Sequence, residues 1–598
     1  MQTKIPCKAA LFIAVLLVSL FSQAQTMRYT ISMDEPASHI FHVILHCDGL
    51  KGNQVNLKMP VWTPGYYQRL DYANNLQNFR VTDNKGNDIK WEQTNDNTWQ
   101  VKNDKAGSVI INYDIKTTRM FVATPYLDEE RGYIVPAGVF LHPENKINNP
   151  VQVTVKPYPE WKQVATGLEP VAGEPYTYTA EDFDILYDCP LLVGNLEELT
   201  SFTVQGIPHH FTGYKLGVFD KEQLMTDLKK IVEASAAIIG DIPYKHYTFI
   251  AIGPGQGGIE HLNNTTISFR GEGLNSPQGR LGLLHFMAHE YFHHYNVKRI
   301  RPVELGPFDY DKGSRTKQLW ISEGLSVYYE YLVVKRAGIS SAEELINALQ
   351  RNIRSFENRP GRLFQSLSEA SYETWSDGPF GRSGEDAYKT ISYYEKGPVV
   401  GMLFDFAIRH ETGNERSLDD VMRTLYREYY RQKNRGFTEA EFRAVVKKIA
   451  GNALDELFEY VYTTKELNYK KYLGYAGLEV DVTPKEIPGG WLGIQSRLRN
   501  DSLFVTAVDY ASPAWNAGVR PRDVILAVNG QPAVKVIENV MKENKSGDKI
   551  EISSLHNRVE KTYTITFDTK TECSFSITRK TDPSALQAAI LKSWLGED

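Results

Sequence analysis

The chain has little cysteine and histidine and no excess of basic residues. Its 598 residues include 4 cysteines and 14 histidines, and 67 basic side chains face 73 acidic ones. A net charge of −6 argues against a general nucleic-acid-binding protein, which would show a basic excess. Widely spaced cysteines in this small number form no disulfide framework. We therefore expect Cys47, Cys189 and Cys573 to be buried free thiols, and we expect no cysteine cluster to bind a metal.

Long apolar runs are also absent, except at the N-terminus. Lys4 and Lys8 precede a nearly unbroken apolar run over residues 9–21, and small residues then lead to Ala24. The run is too short to cross a bilayer comfortably, and its setting is typical of a secretory signal peptide. We predict a signal peptide over residues 1–24, a mature chain without a membrane span, and a periplasmic or secreted location.

The chain length predicts three or four domains, and no internal repeat or low-complexity tract interrupts them. Short strand-like segments separated by turn signals indicate a β-sandwich over residues 25–185, and the segment 40–47 alternates apolar residues on one face. Helical patterns predominate over residues 186–475. They predict an amphipathic helix over 222–239, a helix over 317–331 and an apolar helix from about Pro398 to Ile408. A β domain is predicted over 487–570, followed by a C-terminal tail over 571–598. The predicted fold class is therefore multidomain α+β.

The most informative stretch of the helical part reads H-E-x-x-H, from His289 through Glu290 to His293. No Gly or Pro interrupts residues 283–296, so we predict a helix that places the two histidines one turn apart on one face. Two imidazoles so placed can bind one zinc ion, and Glu290 can polarise a water held there. Because histidine is scarce, a chance occurrence of this pattern has a probability on the order of a few per cent.

A catalytic zinc site requires a third protein ligand and one position for water. Glu323 follows His293 by 30 residues and has apolar residues on both sides, which predicts a buried carboxylate. A buried carboxylate is costly unless it is paired or bound to a metal, so Glu323 is the predicted third ligand. Glu330 is interpreted as a surface residue or a neighbour of the ligands. His285 and His294 are also close, but we do not expect them to be ligands.

Two loops are candidates for the walls of a substrate cleft. Residues 60–67 interleave two prolines and a glycine with three aromatic residues, which predicts a rigid loop. This loop either packs internally or forms a cleft wall, since binding residues are common on loops held by a rigid scaffold. Residues 253–261 are glycine-rich but lack the Lys-Ser/Thr ending of a phosphate-binding loop. We favour a close approach of this backbone to a ligand, with Glu260 projecting into a cleft.

The C-terminal part changes character after a predicted connector over residues 471–486. It contains GGWLGI at 489–494, SPAWNAGV at 512–519 and RDVILAVNG at 522–530. This succession resembles a PDZ domain, whose glycine-containing loop receives a peptide carboxylate and whose edge strand accepts a peptide. The resemblance leaves two roles open, namely capture of peptide C-termini and bracing of the catalytic domain.

The motifs GGIEH, HEYFHHYNVKRIRP, LWISEGLSVYYEY and YYEKG occur together between the β-rich front and the PDZ-like end. In this combination the chain resembles metallopeptidase family 61, the glycyl-aminopeptidase-like gluzincins with a PDZ domain. The resemblance implies a thermolysin-like catalytic domain with one zinc ion on His289, His293 and Glu323. It also implies that Glu290 is the general base that activates the zinc-bound water.

The same resemblance implies a relation to aminopeptidases whose exopeptidase loop reads G-x-M-E-N, where this chain reads GGIEH. By that match, Glu260 binds the free α-amine of the substrate. Gly257, Gly258 and His261 adjoin it, and the histidine replaces the final Asn. Tyr394 of the YEKG motif is implied to donate to the oxyanion.

We predict an exported zinc aminopeptidase that removes N-terminal residues from peptides, and the resemblance alone implies a preference for Gly or Ala. An alternative on the same scaffold is a zinc endopeptidase that captures substrate C-termini with its PDZ domain. A second alternative, from another functional class, is a catalytically inert PDZ binding protein with a relic zinc site. Hydrolysis of a non-peptide amide is a further alternative. Except in the case of a non-peptide amide, the expected partners are peptides and not nucleic acids.

Overall fold

The computed structural model of the chain describes residues 27–48, 52–102 and 108–597, without the side chains of residues 452, 453, 538 and 541. The predicted signal peptide lies outside the described residues. Within these ranges, no helix has the length and apolar character needed to span a membrane. A β-rich N-terminal part, a mostly helical centre and a β-rich C-terminal part follow one another, which confirms the predicted multidomain α+β class.

The N-terminal part consists of β-sheets packed around one apolar core. Its elements are β1 (Met27–Ser32), β2 (Ile40–Cys47), β3 (Gln54–Lys58), β4 (Leu76–Asp83), β5 (Trp91–Asn95), β6 (Thr98–Lys102), β7 (Val109–Lys116), β8 (Tyr126–Leu127), β9 (Arg131–Ile134), β10 (His142–Pro143), β11 (Val151–Lys156), β12 (Gln163–Thr166), β13 (Glu169–Pro170), β14 (Thr177–Ala180), α1 (Phe183–Tyr187) and β15 (Leu191–Gly194).

The strands of this part form a seven-stranded sheet in the order β13-β14-β11-β1-β2-β7-β4 and two four-stranded sheets, β10-β3-β6-β5 and β12-β15-β9-β8. In β2, the predicted alternation is confirmed because Phe41, Val43, Leu45 and Cys47 are buried while the residues between them are partly exposed. Cys47 and Cys189 are buried free thiols, as predicted.

The central part places a small mixed sheet beside a bundle of helices. Its elements are β16 (Glu197–Glu198), β17 (Phe202–Val204), β18 (Ile207–Gly213), α2 (Lys221–Ile239), β19 (Tyr247–Ala251), β20 (Gly258–Glu260), β21 (Asn264–Ile267), α3 (Pro277–Phe292), α4 (Leu325–Arg336), α5 (Ala342–Glu357), α6 (Leu367–Asp377), α7 (Tyr393–Glu411), α8 (Leu418–Leu425), α9 (Glu439–Ala450), α10 (Asp455–Tyr462) and α11 (Tyr469–Tyr475).

The sheet of the central part has the order β16-β18-β19-β21-β20, with β17 beside β18. Strands β18 and β19 are parallel, and helix α2 provides the crossover that a parallel pair requires. Asp220 caps α2 by accepting from the Gln223 amide, and Gly240 ends the helix with a φ of 85°. The strand β20 carries Glu260 to the edge of this sheet, beside helix α3.

Two helical segments near the predicted site differ from the sequence-based expectation. Residues Trp320–Gly324 form one π-helical turn before α4 instead of a regular α-helix. Helix α7, expected to begin at about Pro398, begins at Tyr393 and contains Pro398 within it. Because proline has no N–H for the carbonyl of Tyr394, that carbonyl needs another donor. The side-chain amide of Asn352 donates to it over 3.1 Å.

The C-terminal part contains the PDZ fold and the segments that connect it to the centre. Its elements are β22 (Leu478–Asp481), β23 (Pro484–Trp491), β24 (Ile494–Arg499), β25 (Ser502–Val508), α12 (Pro513–Ala517), β26 (Val524–Val528), β27 (Gln531–Pro532), α13 (Ala533–Glu543), β28 (Lys549–His556), β29 (Val559–Thr566), β30 (Asp568–Cys573), β31 (Ser576–Arg579) and α14 (Ala585–Leu595).

The PDZ sheet has the order β24-β25-β26-β28-β29 and its own apolar core. It is inserted between β22 and β31, which pair antiparallel with each other, while β23 pairs with β30. The predicted connector over residues 471–486 thus contains the end of α11, strand β22 and the start of β23. The segment 571–598, predicted as a tail, contains β31 and α14. Cys573 is a free thiol, but it is only partly buried.

Helix α14 returns the chain to the core of the central part. Trp594 is fully buried there, and its Nε1 donates to the Tyr328 hydroxyl over 2.8 Å. Tyr328 in turn donates to Asp405 Oδ2 over 2.6 Å, and Arg409 Nε donates to Asp405 Oδ1 over 3.0 Å. This buried network joins α14 to α4 and α7. The PDZ domain is therefore attached to the central part on both of its sides.

Candidate active site

Three donor atoms converge where helix α3 meets the π-helical turn. His289 Nε2 and His293 Nε2 are 2.8 Å apart, and Glu323 Oε2 lies 3.6 and 3.3 Å from them, respectively. His293 follows the last residue of α3 and keeps helical dihedral angles (φ −60°, ψ −23°), so the two histidines remain one turn apart. Among the described residues, these three buried side chains are the group placed to hold a metal ion.

The second nitrogen of each imidazole lies within 3 Å of an acceptor oxygen. His293 Nδ1 lies 2.8 Å from the carbonyl oxygen of Asn296, and His289 Nδ1 lies 2.9 Å from Glu330 Oε2. With the proton on Nδ1 facing these acceptors, both Nε2 atoms present lone pairs to one point. Two imidazole nitrogens and one carboxylate oxygen form a ligand set of catalytic zinc sites, so the residues present fit zinc.

Glu290 lies beside this group in a buried position, where its Oε2 has no hydrogen-bond partner among the described residues. Burial raises the pKa of Glu290 to about 7; the neighbouring imidazoles oppose the shift, and the charges of Glu260 and Glu323 add to it. A carboxyl group with a pKa near neutrality can both accept and return a proton. A Cβ at Gly258 would lie 2.4 Å from Glu290 Oε1, so this backbone passes directly against the carboxylate.

Two tyrosines face the third ligand from different parts of the chain. The Tyr394 hydroxyl, on α7, donates to Glu323 Oε2 over 3.0 Å, and its ring lies 6.1 Å from that of His289. Tyr67 comes from the N-terminal part. The pKa of Tyr67 is raised well above its ordinary value by burial, by the charges of Glu323 and Glu260 and by a hydrogen bond with Glu323.

Glu260 and His261 are both buried, but they face different surroundings. Glu260 Oε1 has no hydrogen-bond partner among the described residues and lies 3.9 Å from Lys298 Nζ. His261 Nδ1 lies 3.3 Å from Asp188 Oδ1, and Lys298 Nζ donates to the same oxygen over 2.7 Å. Burial alone would raise the pKa of Asp188, but Lys298 and His261 hold it below its ordinary value. The histidine is thus part of a buried charge cluster behind Glu260.

A cavity of about 330 Å³ opens beside these residues. It is lined by Gly65, Tyr66, Tyr67, Gln68, Phe121, Val122, Ala123, Gly257, Gly258, Ile259, Phe286, His289, Glu290, Val327, Glu330, Thr374, Pro379, Phe380, Tyr393 and Tyr394. Its walls are mainly apolar, and its titratable groups gather at the metal-binding end. Of the predicted substrate-binding residues, Gly257 and Gly258 line this cavity, whereas Glu260 and His261, which follow the lining residue Ile259, do not.

Several residues beside the cavity and the proposed zinc ligands are only weakly indicated by the sequence. The loop 60–67 was open to a packing or a cleft-wall interpretation, and the structure places its end, from Gly65 onward, on the cavity. Of the two interpretations given for Glu330, the structure supports a neighbour of the ligands, since its Oε2 lies 2.9 Å from His289 Nδ1. Phe121 and Phe380 line the cavity from loops without any motif. An aromatic side chain in a loop is the one local signal that could have pointed to them.

Models of three protein domains match the chain. The Peptidase M61 N-terminal domain matches residues 28–195, M61 glycyl aminopeptidase matches residues 282–400, and a PDZ domain matches residues 504–541. These matches confirm the resemblance that the four motifs indicate.

Among solved structures, the chain is similar to an aminopeptidase N family protein from Idiomarina loihiensis. The two are 25% identical with a TM-score of 0.85, and the similarity covers 95% of this chain and all of the other. The M1 zinc metallopeptidase of Deinococcus radiodurans is 13% identical with a TM-score of 0.47, covering 74% of this chain and 95% of that one.

Curated relatives match over shorter lengths. The Serine protease Do-like HtrA of Bacillus subtilis is 29% identical over 106 residues, which are 17% of this chain. A probable CtpA-like serine protease of Staphylococcus aureus is 28% identical over 145 residues. The chain spans about a quarter of the length of these relatives (24% and 26%), so these two matches concern a part of each protein.

Proposed function

We infer that the chain is an exported zinc enzyme that removes the N-terminal residue of peptides. The matches to the Peptidase M61 N-terminal domain and to M61 glycyl aminopeptidase support a metallo-aminopeptidase, as does the similarity to an aminopeptidase N family protein. One observation carries this proposal, namely that the donor atoms of His289, His293 and Glu323 converge beside the unpartnered carboxylate of Glu290 at the end of a cavity.

Zinc held by His289, His293 and Glu323 would supply a Lewis acid for the scissile carbonyl and for water. Glu290 accepts the proton of the attacking water, for which its burial and its pKa of about 7 prepare it. The same carboxyl group then returns the proton to the leaving amine. The Tyr394 hydroxyl turns from Glu323 and donates to the carbonyl oxygen as negative charge develops on it.

Glu260 is proposed to limit cleavage to the first residue by pairing with the free α-amine. Its Oε1 has no hydrogen-bond partner among the described residues, and a charged ammonium would provide one. The loop 60–67 packs directly on it, since a Cβ at Gly65 would lie 2.9 Å from Glu260 Oε2. An ammonium paired with Glu260 would fix the first residue of the peptide at this point, which favours an exopeptidase over an endopeptidase. The description of the matched family, M61 glycyl aminopeptidase, supports Gly as the first residue.

The proposal is tested with purified, zinc-loaded mature protein and chromogenic amides of Gly and Ala. We expect cleavage of the free-amine substrates, no cleavage of their N-acetylated forms, and loss of cleavage in Glu260→Ala. Equal cleavage of longer acetylated peptides would replace the aminopeptidase with an endopeptidase. No cleavage of any substrate would favour a PDZ binding protein.

Export is proposed from the charge, apolar run and small residues of positions 1–24, with removal after Ala24. The measurement is cell fractionation of a bacterial host that expresses the full chain, combined with N-terminal sequencing. We expect protein in the periplasm or the medium whose first residue is Gln25. Full-length protein in the cytoplasm alone would contradict this.

A further inference from the structure

A second cavity, of about 870 Å³, lies between the PDZ domain and the loop that joins α6 to α7. Its walls include Ser383 and Gly384 of that loop and Arg497, Arg499, Phe504 and Arg522 of the PDZ domain. We call it the arginine cleft. No residue of α13 lines it. It is therefore separate from the space between β24 and α13, where PDZ domains receive a peptide.

The strand register shows which face of the PDZ sheet the cleft uses. Arg497 is paired with Phe504, and Arg499 with Ser502, so these four side chains share one face. Leu503, next to Phe504 on β25, is buried in the PDZ core and thus belongs to the opposite face. Arg497 and Arg499 therefore lie on the outer face of the PDZ sheet, which faces the α6–α7 loop of the central part.

The arginines of this cleft lack counter-ions. Arg497, Arg499 and Arg522 are exposed, and none has a side-chain hydrogen bond or ion pair with any residue that the structure describes. By contrast, Arg382 of the same loop pairs with Asp377 over 2.8 Å. Three guanidinium groups around one space repel each other and favour an anion, above all a carboxylate that accepts two hydrogen bonds.

The arginine cleft is close to the proposed active site because one loop lines both. Phe380 lines the cavity beside the zinc ligands and stacks on Tyr394 with a centroid distance of 5.6 Å. Gly384 lines the arginine cleft. The two positions are four steps apart along the chain, so their Cα atoms are at most about 14 Å apart.

This loop is fixed at both ends, so the two cavities keep their relative position. Arg359 Nη1 donates to the Phe380 carbonyl over 3.2 Å. Further along the loop, the ring of Tyr388 stacks on Tyr510 of the PDZ domain, with centroids 4.8 Å apart and planes 5° apart. Trp515 packs edge-on against Tyr388 at 4.6 Å.

We propose that the arginine cleft binds a carboxylate in the downstream part of peptide substrates, about four to six residues after the cleaved bond. An extended peptide advances about 3.3 Å per residue, so four residues span about 13 Å, which is close to the upper limit of the separation between Phe380 and Gly384. The carboxylate belongs either to Asp and Glu side chains or to the peptide's own C-terminus. This inference rests on the proposed function, because the peptide reaches the cleft only when its N-terminus lies beside Glu260.

The experiment uses three eight-residue peptides with the same four N-terminal residues. One has Asp and Glu at positions five to seven and an amidated C-terminus, the second is neutral with a free C-terminus, and the third is neutral and amidated. For the full mature enzyme, we expect kcat/KM to be about tenfold higher for the acidic peptide than for the neutral amidated peptide. The difference should come mainly from a lower KM, because two or three exposed ion pairs supply a binding free energy of this size. The advantage falls at high salt.

The variant Arg497→Gln/Arg499→Gln/Arg522→Gln should lose this advantage. An advantage for the free C-terminus alone assigns the cleft to the terminal carboxylate, and an advantage for the acidic peptide assigns it to side chains. A matched control, Lys549→Gln/Arg558→Gln/Lys561→Gln, removes the same charge from exposed residues of the β28–β29 hairpin and should keep the advantage.

Single-residue chromogenic amides separate the two proposals, since they are too short to reach the arginine cleft. Both variants should cleave them as the parent enzyme does. If the parent fails to cleave them, the proposed aminopeptidase function is wrong. If it cleaves them but the three peptides have equal kcat/KM, or the control variant loses the advantage equally, the arginine cleft does not bind substrate.

Discussion

The carboxylate of Glu290 is confined by its neighbours more than by any hydrogen bond. The Gly258 backbone passes against one oxygen, and the other has no hydrogen-bond partner among the described residues. Desolvation raises its pKa to about 7, whereas Glu323 nearby has a lowered pKa because both imidazoles outweigh the effect of burial. The two carboxylates are thus suited to opposite tasks, since the pKa of Glu290 favours the movement of a proton and that of Glu323 favours a permanent charge.

Replacement of Glu290 by Gln is expected to lower kcat by at least 100- to 10,000-fold, because an amide cannot accept the proton of water. Zinc content should stay near one ion per chain, since the three proposed ligands are unchanged. The measurements are kcat on Ala amides and metal analysis of dialysed protein. Activity within tenfold of the parent enzyme would remove Glu290 as the base.

The two tyrosines that face Glu323 differ in their expected contribution. Tyr394→Phe should lower kcat about 100- to 1,000-fold with little change in KM, as the loss of an oxyanion donor does. Tyr67→Phe removes a hydroxyl beside the same carboxylate and should cost less than about tenfold. Steady-state kinetics of both variants on one substrate make the comparison. A larger loss in Tyr67→Phe would transfer the donor role from Tyr394 to Tyr67.

At the scale of the secondary-structure element, Asn352 on α5 fixes the start of α7. Its amide donates to the Tyr394 carbonyl, which Pro398 leaves without a helical partner, and its Oδ1 accepts from the Tyr331 hydroxyl over 3.0 Å. The side chain that holds the backbone of Tyr394, the proposed oxyanion donor, thus lies about forty residues earlier in the chain.

Asn352→Ala should destabilise the protein by about 1–3 kcal/mol and lower kcat more than it changes KM, because the Tyr394 carbonyl is left without a donor. Tyr331→Phe is the control, since it removes the other hydrogen bond of Asn352 and leaves this one. Urea unfolding and kinetics of both variants give the result. Equal kcat for Asn352→Ala and Tyr331→Phe would show that this hydrogen bond does not position Tyr394.

Elements with local signals could be predicted, and those that depend on distant partners could not. The helix with His289 and His293, the amphipathic α2 and the alternation in β2 follow from nearest neighbours along the chain. Strand β22 was interpreted as a connector because its partner β31 lies about a hundred residues later, beyond a complete domain. Proline is common at the start of a helix, so Pro398 indicated a start there. The true start at Tyr393 could not be predicted, because the donor that replaces the missing N–H of Pro398 is on α5. The proximity of Glu330 to His289 depends on the packing of α4 against α3.

At the scale of the whole molecule, the PDZ domain is an insertion into the central part. Asp481 of β22 is paired with Ser576 of β31, so the two ends of the insertion lie opposite each other in one antiparallel pair. The network of Trp594, Tyr328 and Asp405 belongs to the surroundings and not to the insertion. This geometry allows the two roles of the PDZ domain to be separated.

Excision of residues 482–575, with a short Asn-Gly turn that joins Asp481 to Ser576, should leave a folded central part, since two-residue loops connect such strand pairs. We expect hydrolysis of single-residue amides within about threefold of the parent, and loss of any preference for downstream acidic residues. Circular dichroism and kinetics test this. An unfolded or inactive product would mean that the PDZ domain braces the catalytic part.

Helix α14 has a consequence for when the enzyme becomes active during its synthesis. The chain leaves the ribosome from its N-terminus, and early domains generally fold first. Here the core around α4 and α7 lacks Trp594 until α14 has been made, and the whole PDZ domain emerges before it. A nascent chain released before residue 585 is therefore expected not to hydrolyse amides, although it contains every proposed ligand. The order of synthesis itself would then delay amide hydrolysis until α14 has emerged.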